Sequence, residues 1–482
     1  MKASETARNA APIIGGLLAL VLVWAVAIGW MWSATDPLTA LVLVGFVPFA
    51  IAALGYLLSK ASLEMMAFAL PGLLIFFKQN DALIPYFGGL PINDMLGLAV
   101  MIWLLGRLSK ADVADTFKSS SFLFLTILGL IGAFVVSWIN AVELHESKRE
   151  TLTFIKDLIF ALLLALSIRS PKDLKAFVGW LILSTTFTAL TMLLEVGVGR
   201  PIFPDRILET WQNEFRSGGA SFESVPFVAT MIIIGIFASV SLAIRRPQAR
   251  LILTAAAAIG IAAVLVSITR SAILALGFTT AFMLWRMRKE PFFPLAATIA
   301  AVGGVIVLVS LPASVLEKFD ALTNTNADPT LARRVDYVKI GADLFQQTPL
   351  LGVGAGNYPP RYASDDYRFV RALATERRDL HNLYIQYAVE IGILGALFFY
   401  SKMAIMGLMI WRGTKSANRL LQQYSEAMLI GYFVVAVQLV FLASKSFLGI
   451  WILLAAAVAI ARLRLRERRQ MAAIEAHRPT PL

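Results

Sequence analysis

The chain has 482 residues, 58% of them hydrophobic and only 15% charged, with a mean hydropathy of +0.73. A soluble domain carries roughly 25% charged residues, so this composition excludes a soluble enzyme and points to an integral membrane protein. Cysteine is absent, which excludes a disulfide framework, a thiolate nucleophile and a cysteine metal site. The net charge of +12 invites a nucleic-acid partner, but the basic residues fall in short segments between apolar runs. That alternation is a topology signal, so no nucleic acid is expected as a partner and the lipid bilayer is.

A helix crosses a ~30 Å hydrocarbon layer with roughly 17 to 25 apolar residues. In chain order, such runs are read at 11–32, 38–58, 62–77, 91–106, 121–139, 152–168, 176–196, 222–244, 251–267, 270–285, 292–311, 383–411, 425–443 and 446–461. The expected fold is an all-α polytopic integral membrane protein with about fourteen (12–14) transmembrane helices. The first run holds Trp24, Trp30 and Trp32 without a small-residue cleavage site, and is read as a retained span. The clusters Arg107–Lys118, Arg169–Lys175, Arg245–Arg250, Arg286–Lys289, Arg412–Arg419 and RLRLRERR all fall on one side, which the positive-inside rule makes cytoplasmic together with both termini. The expected organisation is an N-terminal bundle of about eleven spans over 1–311, a large outward-facing loop over 312–382, C-terminal transmembrane helices over 383–463 and a basic cytoplasmic tail, read as partly disordered, over 464–482.

With this topology two sizeable loops face outward, 197–221 and 312–382. The second carries Lys318, Arg333, Arg334, Lys339, Arg361, Arg368, Arg371, Arg377 and Arg378. Arginine presents a planar fork of donors that stays charged, so an outward cationic site suits a pyrophosphate or a carboxylated sugar. Within this loop Asp328 as N-cap, Pro329 in the first turn and Pro349 as a stop predict an amphipathic helix over 329–347. Leu331, Val335, Val338, Ala342 and Phe345 form its apolar stripe, with Arg334 on the shoulder and Arg333 pointing away.

The following LLGVGAGNYPPRY holds Gly352, Gly354 and Gly356. A dinucleotide loop needs a strand before it and a helix after it, and here a helix precedes and Pro359–Pro360 follow. The glycines are therefore read as permitting tight turns and a close backbone approach to a ligand. Arg270, in SITRSAILALGF, sits in a very short outward turn where topology needs no charge, and a charge so near the bilayer is a functional candidate. Glu195, Glu390, Lys402 and Lys445 lie in or near spans, and sequence alone does not pair them. The three histidines, His145, His381 and His477, are scattered without metal-ligand spacing, so no metal centre is expected. His381 and Asn382 open DLHNLYIQYAVEIGILG, at the threshold of a long apolar run.

The order SITRSA, ARRVDYVKIGADLF, PLLGVGAGNY and LHNLYIQYAVEIGILG resembles the O-antigen ligase and polymerase superfamily of bacterial membrane glycosyltransferases, over about 270 to 400. The resemblance implies a GT-C-like helical bundle in the bacterial inner membrane that takes an undecaprenyl-pyrophosphate-linked glycan at the periplasmic face. It implies transfer to a sugar hydroxyl of another glycan or of lipid A core, with neither metal nor nucleotide and no other cofactor. It places His381 as the essential histidine and Arg270 and Arg334 on the pyrophosphate, with a looser match at Arg216 in NEFRSGGASFE. Asn382 is expected as a helix cap or acceptor contact, with Tyr384, Tyr387 and Asn357 as further candidate sugar contacts. Polymerase is favoured over ligase, and a transporter or lipid-linked oligosaccharide flippase is the alternative from a different class.

Overall fold

The computed structural model describes residues 63–83, 92–105, 108–203, 209–211, 214–221, 223–291, 293–310, 329–368 and 377–476. The two apolar runs expected at 11–32 and 38–58 lie outside the described residues, as do Lys318, Arg371 and His477. Helices dominate: α1 Leu63–Gln79, α2 Ile92–Leu105, α3 Lys110–Val136, α4 Leu144–Ser167 and α5 Pro171–Val198. A short antiparallel hairpin then pairs β1 Glu209–Trp211 with β2 Glu214–Arg216. Four helices follow, α6 Val225–Arg245, α7 Arg250–Val266, α8 Arg270–Met287 and α9 Phe293–Ser310. The chain ends with α10 Pro329–Gln347, the short α11 Tyr358–Tyr362, then α12 Leu383–Gly413, α13 Arg419–Gln438 and α14 Leu448–Ala476.

Among the described residues, seven helical stretches are long and apolar enough to cross a membrane: Lys110–Asn140, Pro171–Val198, Val225–Arg245, Pro247–Val266, Leu383–Gly413, Arg419–Gln438 and Leu448–Ala476. The 21 residues of α6 alone span about 31 Å at 1.5 Å per residue. Local signals set the starts. Ser109 and Asp112 form a capping box ahead of α3, and Ser170 with Asp173 form another ahead of α5, with Pro171 at the first helical position. The first box starts α3 eleven residues before the apolar run expected at 121.

α6 and α14 are buried on nearly every side, as helices apolar all round must be in a bundle. Trp451 of α14 meets Phe154 of α4 edge-on at 5.0 Å, and Tyr387 stacks on Phe399 within α12 at 4.1 Å. Alternating helix directions give the bundle two ends. One collects the starts of α6, α8, α12 and α14; the other collects the starts of α3, α5, α7 and α13 together with the C-terminal extension of α14.

That extension differs from the expected tail. Helix continues to Ala476, because its arginines meet carboxylates far away in sequence. Arg466 reaches Asp112 at 2.6 Å and Asp115 at 2.9 Å, and Arg469 reaches Asp115 at 2.5 Å. Arg462, fully buried, donates to Thr116 Oγ1 at 2.9 Å and to the carbonyls of Ala165 and Ile168 at 2.8 and 2.7 Å, satisfying the end of α4.

The helix expected over 329–347 forms as α10, but its packed face is not the expected stripe. Val335 and Val338 are exposed, whereas Tyr337, Ile340, Gly341 and Leu344 are turned into the bundle. Gly341 explains the rotation: a Cβ there would lie 2.7 Å from Leu380 Cδ1, so the glycine is what lets α10 approach the chain ahead of α12. Arg334 lies three residues before Tyr337 and shares this inward face.

Candidate functional site

The β hairpin ends on Arg216, whose Nε donates to the Ser267 carbonyl at 3.0 Å and whose terminal nitrogen donates to Thr269 Oγ1 at 2.9 Å. This fixes the guanidinium against the three-residue turn that separates α7 from α8. Arg270 is the first residue of α8, directly after that turn. The turn is strained: Ile268 has φ 51°, a left-handed conformation that β-branched residues avoid.

His381 is the other non-glycine residue among those described with positive φ, at 57°. The segments on both sides hold it there. Leu380 N–H donates to Gln386 Oε1 at 3.2 Å, and Gln386 Nε2 donates to Asp379 Oδ1 at 2.9 Å. On the other side Asn382 caps α12 by accepting from Ile385 N–H at 3.1 Å, and Leu383 N–H donates to the Leu439 and Leu442 carbonyls at 2.9 Å each. Strain of this kind, costing about 1–3 kcal/mol, persists only where the surroundings over-determine it. The imidazole lies against the Tyr337 ring at 5.5 Å.

These pieces meet at one cavity of about 430 Å³, bordered by Arg216, Ile268, Arg270, Arg334 and His381. Glu150, Asp379, the start of α6 at Ser224, Pro226 and Phe227, and the connection from Phe441 to Ser446 also line it, the last bringing in Lys445. Burial and the Arg334 guanidinium push the His381 imidazole below its ordinary value near 6.5, with Asp379 opposing them. A neutral imidazole beside three arginines is a proton acceptor next to an anion site.

Lys445 had no visible partner in the sequence. Here it pairs with Glu390 and lies 3.5 Å from Glu150. Burial opposes its charge, but the two carboxylates push the ammonium above its usual range. Glu390 in turn accepts from Gln386 Nε2 at 2.9 Å and from Gly356 N–H at 2.8 Å. The other unpaired charges also find roles: Glu195 accepts from the Ser217 hydroxyl and from Ile202 N–H at 3.0 Å. Lys402 sits among the rings of Phe399, Trp451 and Phe154 at 4.9, 5.5 and 5.7 Å.

The structure does not bring Asn357, Asn382, Tyr384 or Tyr387 to the lining of this cavity. Asn357 is fully buried, accepting from Glu143 N–H at 2.7 Å and donating to Ser147 Oγ at 2.8 Å. Tyr384 donates to the Ala436 carbonyl at 3.0 Å, and Tyr387 is a core ring against Phe399 and Phe134. The glycines follow the same pattern. Gly352, Gly354 and Gly356 take φ 71°, 103° and 73°, and what they approach is the protein itself: the α12 backbone at Gly352, Ala141 at Gly354 and Glu150 of α4 at Gly356. Val353 and Gly354 N–H donate to the Val389 and Glu390 carbonyls at 2.9 Å each, where α12 breaks at Ile391 and Gly392.

At the same end, Glu143, His145 and Glu146 bring possible metal-ligand atoms within 4.8 Å of one another. Arg377 pairs with Glu143 and Arg149 with Glu146, so cationic side chains already compensate this pole.

The turn, α8, α10, the glycine motif and the His381 segment lie within one stretch of chain. Residues 255–400 match the O-antigen ligase family model. The match supports the superfamily that the sequence motifs resemble, and a search of curated proteins found no match. The matched segment contains Arg270, Arg334 and His381, whereas Arg216, Glu150 and Lys445 reach the cavity from outside it. A match to this family is consistent with a bacterial membrane enzyme of the glycosyltransferase type that works on lipid-linked glycans.

Proposed function

We propose that the protein transfers an undecaprenyl-pyrophosphate-linked glycan to an acceptor sugar hydroxyl. One observation carries the reading: Arg216, Arg270, Arg334 and His381, from four separate elements, border a single cavity. In this reading His381 takes the proton of the acceptor hydroxyl as its oxygen attacks the anomeric carbon, and the bond from that carbon to the pyrophosphate oxygen breaks. The arginines compensate the charge that grows on the departing undecaprenyl pyrophosphate, the role that metal clamps play elsewhere. Desolvation keeps His381 neutral and competent at pH 7.

The positive-inside rule then places the end carrying Lys175, Arg245, Arg419 and Arg462 in the cytoplasm with both termini, and the cavity at the periplasmic face of a bacterial inner membrane. The full chain has about fourteen spans in this reading, with 312–382 as the periplasmic loop. Extension of another lipid-linked chain, a polymerase reaction, is preferred to capping of lipid A core.

The test incubates the purified protein and its His381→Ala form with an undecaprenyl-pyrophosphate oligosaccharide and a lipid A core acceptor, and reads products by mass. A ladder of whole repeat units that disappears in the variant supports the polymerase. A single adduct on the core replaces it with the ligase, and product formation unchanged in the variant removes His381 from the chemistry.

A further inference from the structure

We infer that the basic end of the bundle carries a binding site for an anionic phospholipid, separate from the reaction cavity. A groove of about 1060 Å³ lies among α5, α6, α7 and α13, at the upper end of the ~300–1,000 Å³ usual for ligand pockets. Lys175, Arg245, Arg246 and Arg419 border it, and no acidic side chain among the described residues does. Its remaining wall is apolar, with Ile182, Leu183, Leu251 and Ile259 among the lining residues. Cationic residues bordering an apolar wall match an amphiphile with an anionic headgroup.

Arg246 supplies a second, independent sign. Its guanidinium lies 5.2 Å from the Tyr424 ring centroid, and a terminal nitrogen donates to Gln423 Oε1 at 3.2 Å. Its Nε is buried and has no hydrogen-bond partner among the described residues. Arg246 also borders the groove, and a phosphate oxygen is the acceptor that suits the donor fork of a guanidinium. Tyr424 and Gln423 hold the fork in place, so a bound phosphate meets a preset donor.

The apolar wall decides between a free phosphate and a lipid. Leu251 is 84% exposed and Leu183 52% exposed, both on helices long and apolar enough to cross the membrane. Acyl chains laid along α5 and α7 cover such residues while the headgroup stays with the arginines at the helix ends. The occupant inferred is therefore a diacyl phospholipid of net negative charge, from the leaflet at the basic end.

The experiment delipidates the full chain in detergent and titrates it with phosphatidylglycerol, phosphatidylcholine or glycerol 3-phosphate, following bound adducts by native mass spectrometry. Phosphatidylglycerol should bind at least about tenfold tighter than phosphatidylcholine, and Arg246→Ala with Arg419→Ala should remove most of that preference. Glycerol 3-phosphate should show no comparable binding. Equal retention of the two lipids, glycerol 3-phosphate binding as tightly as phosphatidylglycerol, or undiminished selectivity in a folded double variant would each overturn the inference. The wild-type comparison decides the matter even where that variant fails to fold.

Discussion

Lys445 and Glu390 meet as a buried ion pair between the connection ahead of α14 and the first half of α12. The pair links the cavity lining to Gln386, which holds Asp379 and the Leu380 N–H on the near side of His381. Removing one partner leaves a buried charge, so Lys445→Met should cost about 3–5 kcal/mol. Adding Glu390→Gln should recover much of that loss, because the amide needs no counter-charge. Thermal unfolding in detergent, followed by tryptophan fluorescence, measures both, and equal melting temperatures for the single and double variants would refute the coupling.

Strain and chemistry separate at His381. His381→Ala and His381→Gly should each lower transfer by roughly 10²–10⁴-fold through loss of the proton acceptor. Only the glycine variant relieves the positive φ, so it should melt above the alanine variant by the equivalent of about 1 kcal/mol. Parallel melting curves and product assays on the two proteins check this.

The depressed His381 pKa fixes the sign of the pH dependence. The imidazole acts when neutral, so kcat should fall as pH drops through a midpoint below about 6.5. Arg334 contributes to that depression. Arg334→Gln should therefore raise the pKa and move the acid limb to higher pH, besides raising the KM for the donor. A pH profile of kcat that keeps its midpoint in Arg334→Gln would contradict the assignment.

Gly392 has φ 70° and ψ −179°, a combination that essentially only glycine adopts, and a Cβ there would meet the Leu350 carbonyl. Gly392→Ala should cost upwards of about 2 kcal/mol, from strain and from separation of the glycine motif from α12. Expression level and melting temperature report it.

Helix existence was legible because apolar run length and cap residues are local, as Pro329 and Asn382 illustrate. The association of Arg270, Arg334 and His381 came from resemblance, since nothing local says that a turn at 268 and a loop at 381 share a cavity. The face of α10 was misjudged because hydropathy favours Val335 and Val338, whereas packing follows the flat Tyr337 ring and the missing side chain of Gly341. The pairings of Lys445 with Glu390 and of Arg466 with Asp112 were invisible because both are contacts at long sequence range.

The break in α12 has a consequence for how variants are interpreted. Gly354 touches Ala141 and the α12 backbone, and it does not border the cavity. Its replacement should nevertheless disturb the segment that presents His381. A screen scored on polysaccharide output alone would give Gly354 and His381 the same phenotype, and only a second axis, the amount of folded protein in the membrane, tells a broken hinge from a missing base.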